Sequence, residues 1–173
     1  YVSDRKTIDQ DFSLVRISTG ATLARFAFAD EAKADAWTPK FGINFQATPD
    51  ILLYATVSKG FKSGGINTTA TTTGVGRYAP ETLWDYEGGI KANLFDGKLR
   101  LNLAAFHYDY TNLQVQQIVT TPAPALVINN AASAKIDGVE FEANTTLSPG
   151  VRLGGYVSYL DARYGAFTAV VDA

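Results

Sequence analysis

Residues 84–105 read WDYEGGIKANLFDGKLRLNLAA, in which two alternating segments flank the turn Phe95-Asp96-Gly97-Lys98. In the first segment the even-numbered positions are apolar or small, whereas the odd-numbered positions are mostly carboxylate, lysine or asparagine. Side chains of a β-strand point alternately to its two faces. The stretch therefore predicts an antiparallel hairpin with one apolar face and one polar face.

Two more short turns occur along the chain, Thr48-Pro49-Asp50 and Leu147-Ser148-Pro149-Gly150. The other connections, at residues 9–36, 62–83 and 116–130, are long and polar. Tight turns at one rim and extended loops at the other are typical of an outer-membrane β-barrel. A soluble sandwich has short turns at both ends and gives no reason for this asymmetry. The sequence therefore predicts an all-β chain that forms a segment of an antiparallel transmembrane β-barrel.

The same alternation recurs at residues 41–47, 135–147 and 151–159. These predicted strands are longer than the about 5 to 6 residues typical of soluble sheets, and they suit a tilted membrane span of about 9 to 11 residues. From Phe106 to Tyr110 the aromatic side chains change parity. Either a β-bulge or an aromatic cluster on the polar face would explain this change, and the pattern leaves both open.

Aromatic residues lie toward the long-loop ends of the predicted strands. We interpret them as a girdle at the level of the lipid headgroups. The alternative is that aromatic residues simply favour strands. The residues concerned are Trp37, Trp84, Tyr86, Tyr110, Tyr159 and Tyr164.

Composition narrows the possible functions. An apolar content of 46% excludes a disordered tail, and no apolar run approaches the about 18 residues of a membrane-spanning helix. A net charge of −2 without charge blocks gives no sign of a nucleic-acid partner. The absence of cysteine excludes disulfides and thiolate metal sites. Because the chain starts at Tyr1 without a methionine or a signal segment, we expect it to be a piece of a longer precursor.

Four stretches resemble motifs of TonB-dependent outer-membrane receptors, in the same order along the chain. Residues 53–67 resemble the family's "YASYSKGFKSGGFN", and residues 80–91 resemble "PETLWNYELGLK". Residues 104–114 are similar to "AAFYYDYTDLQ", and residues 130–140 are similar to "NAASARIYGVELE".

The resemblance implies that residues 1–173 are a partial β-barrel domain, with about seven strands of a roughly 22-stranded barrel and an incoming strand at residues 1–8. It implies active import of a scarce nutrient across the bacterial outer membrane, with a ferric siderophore as the default and cobalamin or a glycan as other options. Energy would come from the inner-membrane TonB complex through an N-terminal plug. The plug and the energy-coupling box have no counterpart in this sequence and are expected upstream. Outer-membrane lipid would surround the barrel.

Two groups of residues are candidates for function. In the long loops, Lys62, Arg77 and Tyr78 are predicted to contact an anionic or aromatic substrate. On the polar faces of the strands, charged side chains are expected to pair across neighbouring strands and to dock the plug. That polar set consists of Glu87, Lys91, Asn93, Arg100, Asn102, Glu140, Glu142 and Arg152.

The sequence does not predict an enzyme. His107 is the single histidine, and Ser133 or Ser158 could in principle serve as a nucleophile beside it. The sequence has no G-x-S-x-G signature, so His107 is interpreted as an interface residue. The Asp-Gly pairs at 96–97 and 137–138 are read as turn chemistry rather than calcium ligands. No cofactor or metal is expected in this segment.

Two alternatives to active import stay open on the residues alone. A passive porin or a structural barrel would share the alternation, the aromatic belt and the loop asymmetry. A soluble repetitive β protein is a third interpretation, and it predicts folding in water without detergent.

Overall fold

The computed structural model describes residues 1–67, 76–120 and 124–167, with some side chains inside the strands left out. Ten strands form in these residues. They are β1 (Val2–Val15), β2 (Thr22–Ala36), β3 (Lys40–Thr48), β4 (Ile51–Lys62), β5 (Gly65–Ile66), β6 (Arg77–Tyr78), β7 (Glu81–Leu94), β8 (Leu99–Val119), β9 (Ala125–Ser148) and β10 (Val151–Phe167). The described residues include no helix that is long and apolar enough to cross a membrane.

Six strands form one sheet in the order β10-β9-β8-β7-β4-β3, and every neighbouring pair is antiparallel. The β1–β2 hairpin and the small β5–β6 hairpin are separate. In the main sheet, strands that follow each other along the chain are neighbours, as in an up-and-down barrel. The predicted all-β antiparallel fold is confirmed.

All three predicted short turns are present, at residues 49–50, 95–98 and 149–150. In the middle turn Phe95, Asp96 and Gly97 have φ values of 56°, 55° and 80°. The amide of Lys98 donates to the carbonyl of Phe95 at 3.1 Å. Successive left-handed residues match the twist of the flanking strands, and aspartate and glycine tolerate this conformation best.

Two of the three predicted long loops are mostly strand. Within residues 9–36, β1 continues to Val15 and β2 begins at Thr22. Within residues 116–130, β8 runs to Val119 and β9 begins at Ala125, so these strands reach 21 and 24 residues. The loop prediction was wrong here because β2 and the first part of β9 carry apolar residues at both odd and even positions, which hides the alternation. In the third loop, the Thr/Gly tract at residues 68–74 lies outside the described residues.

Pairing across the main sheet aligns side chains into rows that alternate between its two faces. One face, called here the apolar face, carries the row Phe45, Leu53, Ile90, Leu103, Phe141 and Val157. The opposite face, called here the polar face, carries the row Gln46, Leu52, Lys91, Asn102, Glu142 and Tyr156. The predicted two-faced strands are confirmed.

The change of parity near Phe106 has a single cause. Pairing of β8 with β9 is regular from Leu99 to Tyr110 and shifts only above Tyr110. Phe106, Tyr108 and Tyr110 therefore lie on the polar face, and the rings of Phe106 and Tyr108 stack at 4.6 Å. The bulge follows them, and Asn112 has a φ of 56° there.

The aromatic girdle is smaller than predicted. Trp84, Tyr86 and Tyr159 lie on the apolar face. Tyr110 and Tyr164 both align with Ala134. Alternation along β8 from Asn102 places this row on the polar face. The prediction was wrong for these two residues, since a pattern of aromatic residues near strand ends does not reveal which face each one occupies.

Candidate functional site

The described part of the third long loop folds as a compact element, called here the loop hairpin (residues 63–67 and 76–79). Gly65 pairs with Tyr78 and Ile66 pairs with Arg77. The amide of Asn67 donates to the carbonyl of Gly76 at 2.7 Å. Gly64 and Gly65 are buried, and a Cβ on Gly65 would collide with the Tyr78 hydroxyl. Glycine at this position lets the phenol ring pack directly on the backbone.

Asn67 fixes the loop hairpin to the upper part of β9. Its side chain is buried, with 6% of its surface exposed. Its Nδ2 donates to the carbonyl of Ile128 at 2.8 Å, and its Oδ1 accepts from the amide of Ile128 at 2.8 Å. The side-chain amide thus satisfies both backbone groups of one residue, as a neighbouring strand would.

A second asparagine repeats this arrangement in the opposite direction. From β9, Nδ2 of Asn130 donates to the carbonyl of Ala79 at 2.9 Å, and its Oδ1 accepts from the amide of Ala79 at 2.5 Å. The same Nδ2 also donates to the carbonyl of Asn112 at the bulge. Nε2 of Gln114 donates to the carbonyls of Ser63 and Ala79. Both arms of the loop hairpin are therefore held by side chains of the β8–β9 hairpin.

The β1–β2 hairpin holds the loop hairpin from the other side. Nζ of Lys6 donates to the carbonyl of Gly64 at 2.9 Å. Arg77 and Asp30 form a bidentate ion pair, with Nε to Oδ2 at 2.9 Å. The Arg77 guanidinium holds the pKa of Asp30 below its usual value, and Asp30 raises the pKa of Arg77. The ion pair and the amide contacts together join three hairpins at the long-loop end.

The three predicted substrate contacts face three different partners. Lys62 ends β4, with Nζ 3.9 Å from Oε2 of Glu81 and 63% of its side chain exposed. Arg77 is paired with Asp30, although 61% of its side chain is exposed. Tyr78 packs on Gly65. The structure thus brings Arg77 and Tyr78 onto one element, and it places Lys62 in a separate hollow that Tyr110 and Gln114 also line.

Sequence reasoning missed the residues that hold this region together. Asn67 and Asn130 were seen only as members of family-like motifs, and Gln114 and Asp30 were not singled out. A buried amide that pairs with a distant backbone segment leaves no periodic trace in the sequence. The available signal was weak: Asn67 and Asn130 both flank the long connections, where polar side chains often replace strand pairing.

The polar face carries a second candidate surface around Tyr54 and Glu87. The Tyr54 hydroxyl donates to Oε1 of Glu87 at 2.6 Å, and Nζ of Lys91 lies 5.2 Å from the centre of the Tyr54 ring. Glu142 accepts from Asn102 at 3.1 Å and from Asn144 at 2.7 Å. These residues line a hollow of about 690 Å³ that also includes Glu140.

The expected pairing of opposite charges across the strands was wrong for this surface. The carboxylates of Glu87 and Glu142 have hydroxyl and amide partners, and Arg100 donates to Asn93 at 3.3 Å. Within the described residues, no ion pair joins Glu87, Glu140 or Glu142 to a basic side chain. The register explains this, because Lys91 aligns with Asn102 and Arg100 aligns with Asn144. The polar face therefore presents carboxylates that form no ion pair with the described residues, although the charge of Arg100 attracts Glu142 at longer range.

His107 lies on the other side of the sheet. Its Nδ1 is 2.7 Å from Oδ1 of Asp137, and both side chains are on the apolar face beside Tyr86. Ser158 aligns with Glu140 and so lies on the polar face. The sheet lies between His107 and Ser158, so these two residues cannot act together as base and nucleophile.

Comparison with known proteins agrees with this architecture. Residues 4–172 match the family model described as TonB dependent receptor-like, beta-barrel. The chain is 32% identical over 154 residues to the metal-pseudopaline receptor CntO of Pseudomonas aeruginosa strain UCBPP-PA14, which covers 88% of this chain and 20% of that protein. The chain therefore spans about one fifth of the length of that relative. Proteins named in these matches are receptors.

Solved structures share the fold at lower identity. The ferric yersiniabactin uptake receptor FyuA from Yersinia pestis superposes with a TM-score of 0.67 at 20% identity, over 94% of this chain and 23% of that one. The alcaligin outer-membrane receptor FauA from Bordetella pertussis gives a TM-score of 0.57 at 20% identity, over 85% and 26%. The antiparallel sheet with its two distinct faces, together with the family match over nearly the whole length, means that this chain belongs to the TonB-dependent receptor family and forms part of its β-barrel.

Proposed function

We propose that the chain is part of an outer-membrane receptor that actively imports a metal chelate, with a ferric siderophore as the default substrate. The observation that carries the proposal is the two-faced sheet of a TonB-dependent receptor barrel. The curated relative is named for a metal-pseudopaline complex, and the solved neighbour from Y. pestis is named for ferric yersiniabactin. The apolar face would contact membrane lipid on the outside of the barrel, and the polar face would line its water-filled interior.

We propose further that residues 1–173 are a partial barrel domain and that the polar face docks an N-terminal plug. Glu87, Glu140 and Glu142 present carboxylates that form no ion pair among the described residues, and they line one hollow. A segment that carries arginine or lysine would complement this surface. The TonB complex would then transmit energy by pulling on that plug, which makes import active rather than passive.

Substrate capture is proposed for the long-loop end, through Lys62, Arg77 and Tyr78. Lys62 supports this best, because its ammonium is mostly exposed and its hollow contains the phenol ring of Tyr110. The loop hairpin that carries Arg77 and Tyr78 is held from two sides, so it would offer a prearranged surface to a ligand.

Uptake by cells that produce the full-length protein as their one receptor for iron chelates tests the proposal. Radiolabelled iron would be supplied with a panel of siderophores, in the presence and absence of a protonophore. Active import predicts accumulation above the external concentration, which the protonophore abolishes. A passive porin would instead give equilibration that is insensitive to the protonophore. Lys62→Gln should raise the concentration needed for half-maximal uptake, and Lys98→Gln at the opposite rim serves as the matched control.

A further inference from the structure

We infer that the hollow beside Lys62 binds a zwitterionic group of the imported chelate, in which a carboxylate and an ammonium are close neighbours. This hollow, called here the Lys62 hollow, is lined by Lys62, Glu81, Tyr110 and Tyr164, among other residues, and has a volume of about 380 Å³. The ligand carboxylate binds Lys62, and the ligand ammonium lies between the two tyrosine rings beside Glu81. The inference rests on the proposed function, because it names the chemistry of a group that the long-loop end recognises.

Two tyrosine rings form walls of the Lys62 hollow. Tyr110 of β8 and Tyr164 of β10 both align with Ala134 of β9, so an alanine separates them in one row of the polar face. Neighbouring strands lie about 4.8 Å apart, which places the backbones of the two tyrosines about 10 Å from each other. A cation between them can lie within about 6 Å of both ring centres, as a cation–π contact requires. Because the alanine methyl leaves this space open, the row suits an ammonium group.

A mostly buried carboxylate lies in the same hollow. Glu81 begins β7, and alternation along that strand from Lys91 puts it on the polar face. Its side chain is 13% exposed, and its Oε2 accepts from the amide of Gln114 at 2.9 Å. That hydrogen bond fixes the carboxylate relative to β8. Because a charge withdrawn from water is screened less, Glu81 attracts a nearby cation more strongly than an exposed carboxylate does.

The positive charge offered to a ligand in the Lys62 hollow comes from Lys62 itself. Its Nζ is 3.9 Å from Oε2 of Glu81, and 63% of its side chain is exposed. This separation exceeds the about 2.7 to 2.9 Å of a charge-assisted hydrogen bond, so the contact with Glu81 commits no donor of the ammonium. Arg163 also lines the hollow, but its guanidinium is paired with Asp161. Lys62 is therefore the cation that a ligand carboxylate meets.

The two charges together select the class of ligand. A lone carboxylate is attracted by Lys62 and repelled by Glu81, whereas a lone ammonium is attracted by Glu81 and repelled by Lys62. A zwitterion places each of its charges beside the opposite one. Complementary charges of this kind give specificity more than raw affinity. The Lys62 hollow therefore prefers a zwitterionic group to an anion, a cation or a neutral group.

Four ferric complexes that share one core and differ in one end group test the preference. Ferrioxamine B carries a terminal amine away from its iron-binding groups, which gives a cationic end. Capping that amine gives a neutral acetamide, an anionic succinamate or a zwitterionic γ-glutamyl amide with a free α-amino acid end. Quenching of tryptophan fluorescence of the full-length receptor in detergent measures each Kd. The γ-glutamyl complex should bind about fivefold more tightly than each of the other three.

Two substitutions should change this order in opposite directions. Glu81→Gln removes the charge and keeps an acceptor for the amide of Gln114, so the fold at the bulge is retained. It should weaken the γ-glutamyl complex about fivefold and tighten the succinamate complex, because Lys62 then acts without an opposing charge. Lys62→Gln should also weaken the γ-glutamyl complex about fivefold, but it should tighten the complex with the free ammonium end.

Lys40→Gln is the matched control, because Lys40 aligns with Ser58 at the same rim and does not line the Lys62 hollow. It should leave the order of the four complexes unchanged, and heat-dependent mobility in electrophoresis verifies that each variant is folded. Equal affinities for the four complexes, no quenching by any of them at millimolar concentration, or an equal shift in Lys40→Gln would each overturn the inference. These outcomes leave the proposed import intact, since protonophore-sensitive uptake tests it separately. Selective binding of the γ-glutamyl complex without any energised uptake would defeat the proposed function alone.

Discussion

The side-chain amide of Asn67 bonds both backbone groups of Ile128, 61 residues away, with both distances at 2.8 Å. Since β5 and β6 are separate from the main sheet, contacts of this kind decide where the loop hairpin sits. Asn130 makes the reciprocal connection to Ala79. The long-loop end is thus assembled by amide side chains that take the place of strand pairing.

Replacing Asn67 with alanine should release the loop hairpin without unfolding the barrel. The change leaves the amide and carbonyl of Ile128 without these partners, a loss of about 1 to 3 kcal/mol. Hydrogen exchange of the full-length protein, followed by mass spectrometry, should then show about fivefold or greater loss of protection in residues 63–67. Asn129→Ala is the control, because Asn129 neighbours the same site and its side chain forms no hydrogen bond with the described residues. Equal protection in wild type and Asn67→Ala would contradict the assigned contact.

Gly138 is predicted to be intolerant of any side chain. The ring of Phe106 lies over it, and a Cβ there would also lie 2.9 Å from Cδ2 of Leu160. Gly138→Ala should therefore destabilise the barrel by about 1 to 3 kcal/mol through overpacking. Gly155→Ala is the matched control, since a Cβ at Gly155 meets nothing within 4 Å.

Urea unfolding of the full-length protein in detergent, followed by tryptophan fluorescence, would measure the difference between the two glycine variants. The double variant Gly138→Ala with Phe106→Leu should recover part of the lost stability, because the smaller side chain vacates the space. Equal unfolding midpoints for Gly138→Ala and Gly155→Ala would argue against the close packing of Phe106.

The Arg77–Asp30 ion pair should give the loop hairpin a pH dependence confined to acid. Arg77 lowers the pKa of Asp30 below the ordinary value of 3.8. A carboxyl with a lowered folded-state pKa stabilises the fold above its unfolded pKa, and this contribution is lost as pH falls through the folded pKa. Protection of the Asn67 amide, which donates to the carbonyl of Gly76 across the loop hairpin, should stay constant from neutral pH to about pH 5 and fall below about pH 4 once it is corrected for the intrinsic exchange rate.

Asp30→Asn should remove this acid transition, because asparagine does not titrate. Asp9→Asn, a substitution on the same hairpin away from Arg77, should keep it. A transition near neutral pH, or one that survives in Asp30→Asn, would assign the acid sensitivity to another group.

Removing the hydroxyl of Tyr54 is predicted to destabilise the barrel. Tyr54→Phe removes the hydrogen bond to Glu87 and keeps the packing, so unfolding free energy should fall by about 0.5 to 1.5 kcal/mol. Tyr156→Phe in the same hollow should be close to neutral, because Tyr156 is 85% exposed. Urea unfolding of both variants would measure the difference. An equal effect of the two substitutions would mean that the Tyr54–Glu87 contact adds no stability.

Much of the main sheet was predictable from the sequence, and the reason is local. Trp84 to Leu94 alternate because one face meets apolar surroundings and the other meets polar ones, so the pattern reports both strand and orientation. The short turn at Phe95-Asp96-Gly97-Lys98 was predictable because aspartate and glycine accept the left-handed backbone that tight hairpins need. Residues 9–36 failed this reasoning, since apolar side chains of β2 occupy both odd and even positions and the strand shows no clear alternation.

The candidate site was less predictable. Lys62, Arg77 and Tyr78 were correctly assigned to the long-loop end, since their neighbours read as a connection. Their partners were not foreseeable, because Asp30 and Gly65 reach them only after the β1–β2 and β5–β6 hairpins have folded. The faces of Tyr110 and Tyr164 were predicted wrongly, since an aromatic residue is compatible with either lipid or a wet interior.

The sequence by itself determined the antiparallel two-faced strands, the short-turn rim and the lack of an apolar run long enough for a membrane-spanning helix in these residues, because alternation, turn chemistry and apolar run length are properties of neighbouring residues. Only the tertiary structure decided which charges go unpaired on each face, and which amides hold the loop hairpin. Such pairings join residues that are tens of positions apart, as Asn67 and Ile128 are, and they depend on strand register. A shift of one residue in that register would exchange the two faces and break every one of these contacts.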